Sequence, residues 1–186
     1  MAGFVGRWLS DVLRLGLPLA LALTAMQVPA LAHGYASALL QVTEDARRDI
    51  EQRKASARRF YRGAGETDEA VIEALRGVEP SNAQTLAASV ERARALRTAH
   101  DRIETAPPLL RPVTALLDLA QDPVADKRAV LATALDTHAP QVALSAAAAT
   151  YGLAGLISGS FVAELLVSAA GRLASARRDR AGPLAR

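Results

Sequence analysis

Two histidines and an aspartate of this chain could together bind a metal. His33 directly follows an apolar stretch over residues 15–32, and His138 lies shortly before a second apolar stretch over residues 142–163. Asp136 precedes His138 by two residues. Two imidazoles and a carboxylate can hold zinc. However, the chain has no His-x3-His spacing and no cysteine, and His100 is remote in the sequence. We therefore favour solvated histidines at a membrane interface over a metal site or a pH sensor, and we expect no metal and no cofactor.

No other residue pattern predicts catalysis. The glycine-rich segment 63–67 lacks the Gly-Lys-Ser/Thr ending of a phosphate loop and follows a predicted helix instead of a strand. No serine lies in a nucleophile elbow. We therefore predict that the protein is not an enzyme. A hydrolase that uses His33, His138 and Asp136 is the last of the alternatives.

The clearest pattern is a face of small residues inside an uncharged stretch. Residues 142–163 carry no charge, and as a helix they would be roughly 33 Å long, about the thickness of a bilayer's hydrocarbon core. Small residues recur there at spacings of three and four: Ser145, Ala148, Gly152, Gly155 and Gly159. Such a face lets two helix backbones approach closely in lipid. We predict that it packs against another helix, either Gly16, Ala20 and Thr24 of the first apolar stretch or another protomer.

Glu164 directly follows the second apolar stretch. A carboxylate deep in lipid would be a functional candidate. At the membrane edge, it would instead reach headgroups or pair with an arginine such as Arg14 or Arg172. We favour this interfacial interpretation.

The first apolar stretch, residues 15–32, has two interpretations. It is long enough for a membrane span. It also resembles a signal peptide, because residues 30–32 form an A-x-A cleavage site. Against cleavage, residues 1–14 already include Trp8, and their apolar character begins at Phe4. We favour an uncleaved span after a short interfacial segment, and both interpretations export the residues that follow.

Residues 33–141 predict helices and show no strand alternation. Apolar residues at spacings near three and four indicate a long helix over 34–62, with an inward face of Tyr35, Leu39, Val42, Ala46, Ile50, Ala57 and Phe60. A second such stripe comprises Leu86, Val90, Ala93 and Leu96 or Arg97. The charged residues between the apolar positions are typical of a solvated face.

Cap residues and prolines predict where the other helices start. Thr67 can cap a short helix, and Ser81 to Gln84 reads as a capping box. Pro112 can occupy a first helical turn, and Asp122-Pro123 can open another helix, which would end near Thr137. Finally, Pro140 would begin a long helix that crosses the membrane and continues past Glu164 toward Arg178, with a disordered tail after Gly182.

The charge distribution predicts the topology. Residues 33–141 carry fifteen basic and sixteen acidic side chains and are close to neutral, whereas the two ends of the chain are basic. Arginines beside apolar stretches are the positive-inside pattern and not a nucleic-acid footprint. These arginines predict that both termini lie in the cytoplasm. The chain also has no cysteine, which excludes disulfides.

The chain resembles the DUF2937 family of uncharacterised bacterial proteins. The residues that carry the resemblance are Gln27-Val-Pro29, Tyr35, Asp45, Arg48, Glu51, Pro140 and Tyr151-Gly152-Leu153. It covers essentially the whole length in architecture but few residues in identity. It implies a bacterial inner-membrane protein with a helical periplasmic module and an uncleaved first span, and it implies no activity.

The combined prediction is an all-α protein with two transmembrane helices that bracket a helical extracytoplasmic module. The predicted segments are 1–14 cytoplasmic or interfacial, 15–32 first span, 33–141 periplasmic module, 142–163 second span and 164–186 basic cytoplasmic tail. We expect a non-enzymatic scaffold or accessory subunit, whose partners are the lipid bilayer and another membrane protein or a second copy. The alternative is an envelope sensor or ligand-binding module that signals through the membrane helices.

Overall fold

The computed structural model is all-α, as predicted. It describes residues 2–61, 64–121, 126–137, 139 and 145–181, and no strand occurs among them. Helices account for most of these residues because alanine and leucine dominate the sequence and favour helix. The described helices are α1 (Ala2–Met26), α2 (Val28–Phe60), α3 (Asp68–Arg76), α4 (Pro80–Thr105), α5 (Arg111–Ala120), α6 (Asp126–Asp136) and α7 (Ala146–Ala181).

The chain divides into two compact units. The first comprises Met1–Ala30 and Pro140–Arg186 and contains α1 and α7, which we call the helix pair. The second comprises Leu31–Ala139, which we call the helical module. Most of α2 and all of α3 to α6 lie in the helical module.

A turn at Gln27 divides the apolar stretch that we predicted as one span over residues 15–32. The helix α1 ends at Met26 and α2 begins at Val28, while the amide of Gln27 donates to the carbonyl oxygen of Thr24 at 3.1 Å. The cause is Pro29, which has no amide hydrogen to donate to the carbonyl four residues earlier. A proline is tolerated in the first turn of a helix, so a new helix starts there.

The helical module has two buried clusters of apolar side chains, and α2 and α4 contribute to both. The first core cluster comprises Tyr35, Ala36, Leu39, Leu96, Ala99, Ile103, Ala115 and Val130. The second core cluster comprises Ile50, Ala57, Val71, Leu75, Ala83, Leu86, Val90 and Ala93. These pairings show that α2 and α4 run antiparallel. The predicted stripes on both helices are confirmed except at Phe60, which ends α2 and is 79% exposed.

Two predicted helix starts have different outcomes. Thr67 is the N-cap of α3, and its hydroxyl accepts a hydrogen bond from the amide of Ala70 at 3.2 Å, as predicted. The capping box at Ser81 is wrong, because α4 begins one residue earlier at Pro80 with Glu79 as its N-cap residue. A proline at the first helical position is preorganised for the helix and lacks the amide that would need a cap.

The remaining helix predictions are confirmed where the structure describes them. Pro112 lies in the first turn of α5, and α7 continues past Glu164 to Ala181. The predicted helix start at Asp122-Pro123, the start at Pro140 and the tail after Gly182 lie outside the described residues.

Candidate functional site

The small-residue face of α7 packs against α1. A β-carbon added to Gly155 would lie 2.6 Å from the carbonyl oxygen of Leu21 and 2.8 Å from the β-carbon of Ala25. One added to Gly159 would lie 2.5 Å from the α-carbon of Pro18. Real β-carbons do not approach other heavy atoms this closely. At these two positions, therefore, only glycine fits the observed helix separation.

The other residues predicted on this face lie in different environments. A β-carbon on Gly152 would meet the side chain of Met26 at 2.6 Å, and Ala148 is fully buried. Ser145 is exposed and precedes α7, where its hydroxyl accepts a hydrogen bond from the amide of Ala148 at 3.1 Å. At the other end, Ala163 is 1% exposed and extends the face by one further step of four residues. Extending the four-residue spacing beyond Gly159 would have found it.

The face of α1 that meets α7 is not the one that we predicted. Gly16, Ala20 and Thr24 are exposed, and a β-carbon on Gly16 would meet nothing within 4 Å. The buried positions of α1 are instead Pro18 and Ala22. The prediction failed because it required small residues on both helices. Glycines on α7 alone provide the space, so α1 can present a proline ring there.

An ion pair between Arg14 and Glu164 joins the two helices. Arg14 Nε lies 2.9 Å from Glu164 Oε1, and a second guanidinium nitrogen donates to Glu164 Oε2 at 3.2 Å. Both side chains are about half exposed. The contact is bidentate, which fixes the direction of both side chains as well as their distance. Arg14 is one of the two arginines that we expected to pair with Glu164, and the structure shows this pair.

Both helices of the pair are apolar on their outer surfaces. Two described helical stretches are long and apolar enough to cross a membrane, one within Gly6–Phe60 and the other Ala146–Leu173. Only 11% of the most apolar window of each is buried, whereas the core helix of a soluble protein is mostly buried. Large side chains such as Leu19 and Phe161 are 58% and 67% exposed.

Only part of the predicted histidine group lies within the described residues. His33 Nδ1 lies 3.8 Å from Glu104 Oε1, and its side chain is 70% exposed. His138 lies outside the described residues. In the described part of the chain, no group of three or more histidine, aspartate or glutamate side chains could hold a metal ion. His100 has a structural role, because its Nδ1 lies 2.9 Å from the carbonyl oxygen of Ala36 and links α4 to α2.

The helical module contains a groove of about 440 Å³ between α2 and α4. Arg47, Arg94 and Arg97 line it, together with two carboxylates and an apolar floor that includes Ile50 and Val90. Arg94 pairs with Glu69, and Arg97 pairs with Glu44 and Asp101. The hydrogen bond from Arg94 lowers the pKa of Glu69 and raises the pKa of Arg94 itself. With these carboxylates counted, Arg47 is the groove-lining arginine that has no carboxylate partner among the described residues.

A buried lysine lies beside this groove, and sequence reasoning missed it. Lys54 is 6% exposed and its Nζ lies 2.8 Å from Glu51 Oε1 and 2.7 Å from Asp68 Oδ1. Burial lowers the pKa of Lys54, but the hydrogen bonds and charges of Asp68 and Glu51 outweigh burial, so the pKa lies above its usual value. No local signal could identify this residue, since Asp68 comes from α3.

A second buried charge lies between α4, α5 and α6. The carboxylate of Asp118 is 2% exposed and lies 2.9 Å from the Nζ of Lys127 and 3.2 Å from a guanidinium nitrogen of Arg102. Two cations compensate the desolvation of this single carboxylate. The arrangement therefore joins three helices of the module and does not resemble an acid–base pair.

The DUF2937 family, described as proteins of unknown function, matches residues 9–176. No curated protein and no solved structure is significantly similar to the chain. The match includes all of the contacts between α1 and α7 described above and the whole helical module. The chain belongs to the DUF2937 family.

Proposed function

We propose that this protein is a small two-span protein of the bacterial inner membrane, with both termini in the cytoplasm and residues 33–141 exported. The apolar outer surfaces of α1 and α7 support membrane insertion. Arginines at both ends of the chain support the orientation, because basic residues beside spans remain on the cytoplasmic side. A reporter fused after Arg186 tests the orientation. Activity that requires the cytoplasm supports the proposal, and a reporter active outside the inner membrane contradicts it.

The first span is retained in this proposal and not removed as a signal peptide. The A-x-A site at residues 30–32 lies inside α2, and Ala32 is 7% exposed. A peptidase needs an extended and accessible chain, so cleavage would have to precede the formation of this helix. In addition, α7 would lose its helical partner if residues 1–32 were removed. The intact mass of the protein purified from membranes tests this point, since cleavage would remove 32 residues.

We infer a non-enzymatic role as a scaffold or accessory subunit. The observation that carries this inference is the close contact of Gly155 and Gly159 with α1. The small-residue face of α7, which we expected to contact another helix or another protomer, packs against α1 of the same chain. Its role is then to hold the helix pair together, so that the outer surfaces of the pair and the module are correctly presented to another membrane protein or to a second copy.

Co-purification from mild detergent tests this role. Gly155→Leu and Gly159→Leu should both reduce the recovery of the partner or dimer, because leucine cannot fit at the observed helix separation. Gly171→Leu is the matched control, since a β-carbon at Gly171 on the same helix meets nothing within 4 Å. Unchanged recovery with both variants would argue strongly against a role that depends on this helix pair.

The second candidate function is an envelope sensor or ligand-binding module that signals through the membrane helices. The arginine-lined groove favours it. Arg94 and Arg97 are already paired with carboxylates, whereas Arg47 lines the groove without such a pair among the described residues. A thermal shift of the full-length protein with citrate, a compact polyanion, tests this candidate. A shift that Arg47→Gln abolishes would support it, and no shift with the wild-type protein would argue against it.

A further inference from the structure

The helix α5 has an inverted distribution of polar and apolar side chains. Five large apolar side chains in and just before it are exposed, and we call them the apolar face of α5: Leu109 (46%), Leu110 (53%), Val113 (46%), Leu116 (65%) and Leu117 (58%). Their spacings place them on one side of the helix. They are five of the eight exposed large apolar side chains among the described residues of the module.

The charged side chains of the same segment point inward. Residues 106–121 contain only two, Arg111 and Asp118. Asp118 is buried between cations of α4 and α6, as described above. Arg111 lies 3.1 Å from the Glu104 carboxylate and also donates to the carbonyl oxygens of Glu104 and Ala106. A helix that faces water would expose these charges and bury the leucines, so α5 is suited to apolar surroundings.

The contacts that α5 makes with α4 and with the start of α2 indicate which surroundings these are. Glu104, which binds Arg111, also lies 3.8 Å from His33 Nδ1 near the start of α2. His33 follows the end of α1 by seven residues in the chain. Ala115 of α5 belongs to the first core cluster together with Tyr35 and Ala36 of the same first turns of α2. Hence α5 is held beside the part of the module where the chain has just left its first apolar helix.

We propose that the apolar face of α5 lies in the surface of the lipid bilayer, with the helix parallel to the membrane plane. Interfacial helices bury such a face about 5–10 Å into the boundary between headgroups and acyl chains. The face carries no charge, so apolar burial and not headgroup charge drives the contact. This inference rests on the proposed membrane insertion of α1 and α7, and it adds a third contact with the bilayer, made by the exported module.

Spin labels on single cysteines test the proposal, because the chain has no cysteine of its own. The full-length protein is reconstituted in phosphatidylcholine nanodiscs at one copy per disc, and each variant is labelled separately. Leu116→Cys and Leu117→Cys report on α5, and Leu19→Cys reports on the outer surface of α1. Val78→Cys is the matched control, since Val78 is also an apolar residue of the module and is 61% exposed.

The ratio of collision rates with oxygen and with a water-soluble nickel chelate distinguishes lipid from water. We expect this ratio to be several-fold higher at Leu116 and Leu117 than at Val78. Aqueous ratios at Leu116 and Leu117 with a lipid ratio at Leu19 would overturn the α5 proposal and leave the membrane insertion intact. An aqueous ratio at Leu19 would overturn both. Protection of the α5 labels from both reagents would also overturn the α5 proposal, because protein and not lipid would then cover the face.

Discussion

The helix pair and the helical module pack according to opposite rules. Between α1 and α7 the buried residues are small, such as Gly152, Gly159 and Ala163, while leucines and phenylalanines lie outside. In the module the buried residues include large ones, such as Leu39 and Leu86, and most charged residues lie outside, with Lys54 and Asp118 as buried exceptions. The reversal is what the proposed membrane insertion of the helix pair predicts. In water, burial of large apolar side chains drives packing, whereas in lipid those side chains are already solvated and close backbone contact contributes instead.

The largest effect is expected from a leucine that is buried in the module. Leu86 is fully buried in the second core cluster, so Leu86→Ala should lower the free energy of unfolding by about 2–5 kcal/mol. The matched variant Leu19→Ala in α1 should change it by less than about 0.5 kcal/mol, because Leu19 is 58% exposed. Chemical unfolding in mild detergent, followed by circular dichroism, measures both. Equal losses would contradict the contrast between the two regions.

The next largest effect is expected from an enlarged residue in the helix pair. Gly155→Leu would force α1 and α7 apart and should cost about 1–3 kcal/mol or more. Gly16→Leu on the exposed side of α1 should be nearly neutral, since a β-carbon there meets nothing within 4 Å. Thermal unfolding in detergent compares the two. If the two variants melt at the same temperature, glycine is not required between these helices.

A smaller effect is expected from the buried charge of the module. Lys54→Met leaves Glu51 without this cation and Asp68 with only Arg94 at 3.7 Å, and the two carboxylates are 62% and 28% exposed. The loss should therefore be about 1–2 kcal/mol, below the cost of breaking a fully buried pair. Replacement of Leu86 should cost more. A loss as large as that of Leu86→Ala would show that the ion pairs and not the apolar clusters dominate the module.

The same lysine predicts a pH dependence. The pKa of Lys54 is raised in the folded protein, so its stabilising effect is complete below its ordinary value of 10.5 and is lost as the pH rises through the folded value. The free energy of unfolding should therefore fall above pH 10.5 more steeply in the wild type than in Lys54→Met. Unfolding titrations from about pH 9 to about pH 12 measure the difference. Parallel curves would contradict the ion-paired lysine.

The smallest effect is expected from the ion pair between α1 and α7. Arg14 and Glu164 are both about half exposed, and such pairs contribute about 0.2–1 kcal/mol. A double-mutant cycle with Arg14→Gln and Glu164→Gln measures their coupling in detergent. A coupling larger than the effect of Gly155→Leu would mean that charge, and not close packing, holds the helix pair.

Much of the fold follows from local patterns in the sequence. The spacing of Leu39, Ile50, Leu86 and Val90 predicts which faces of α2 and α4 are buried, because a helix repeats every 3.6 residues. Thr67 and Pro112 mark helix starts for local reasons that do not depend on the rest of the chain. The misplaced start of α4 at Ser81 reflects competition between two local signals, in which Pro80 prevailed.

The contacts between helices could be predicted only in part. The glycine spacing identifies the packed face of α7, but nothing local distinguishes Pro18 and Ala22 from Gly16 and Ala20 as its counterpart. The burial of Lys54 depends on Asp68, fourteen positions away. The apolar face of α5 also has no simple sequence signal. Only the burial of Asp118 against Arg102 and Lys127 shows which side of this helix faces the module.

The most direct test of the account is whether α1 and α7 of one chain contact each other in the membrane. Arg14→Cys and Glu164→Cys replace two half-exposed residues whose side chains meet at 2.9 Å, so a short bis-maleimide can join the two thiols without enlarging any glycine between the helices. Cross-linking in native membranes should give an intrachain product at the monomer mass, whereas the control pair Arg14→Cys and Leu153→Cys, with Leu153 exposed elsewhere on α7, should remain unlinked. Cross-linked dimers without an intrachain product, or equal cross-linking of both pairs, would contradict the account.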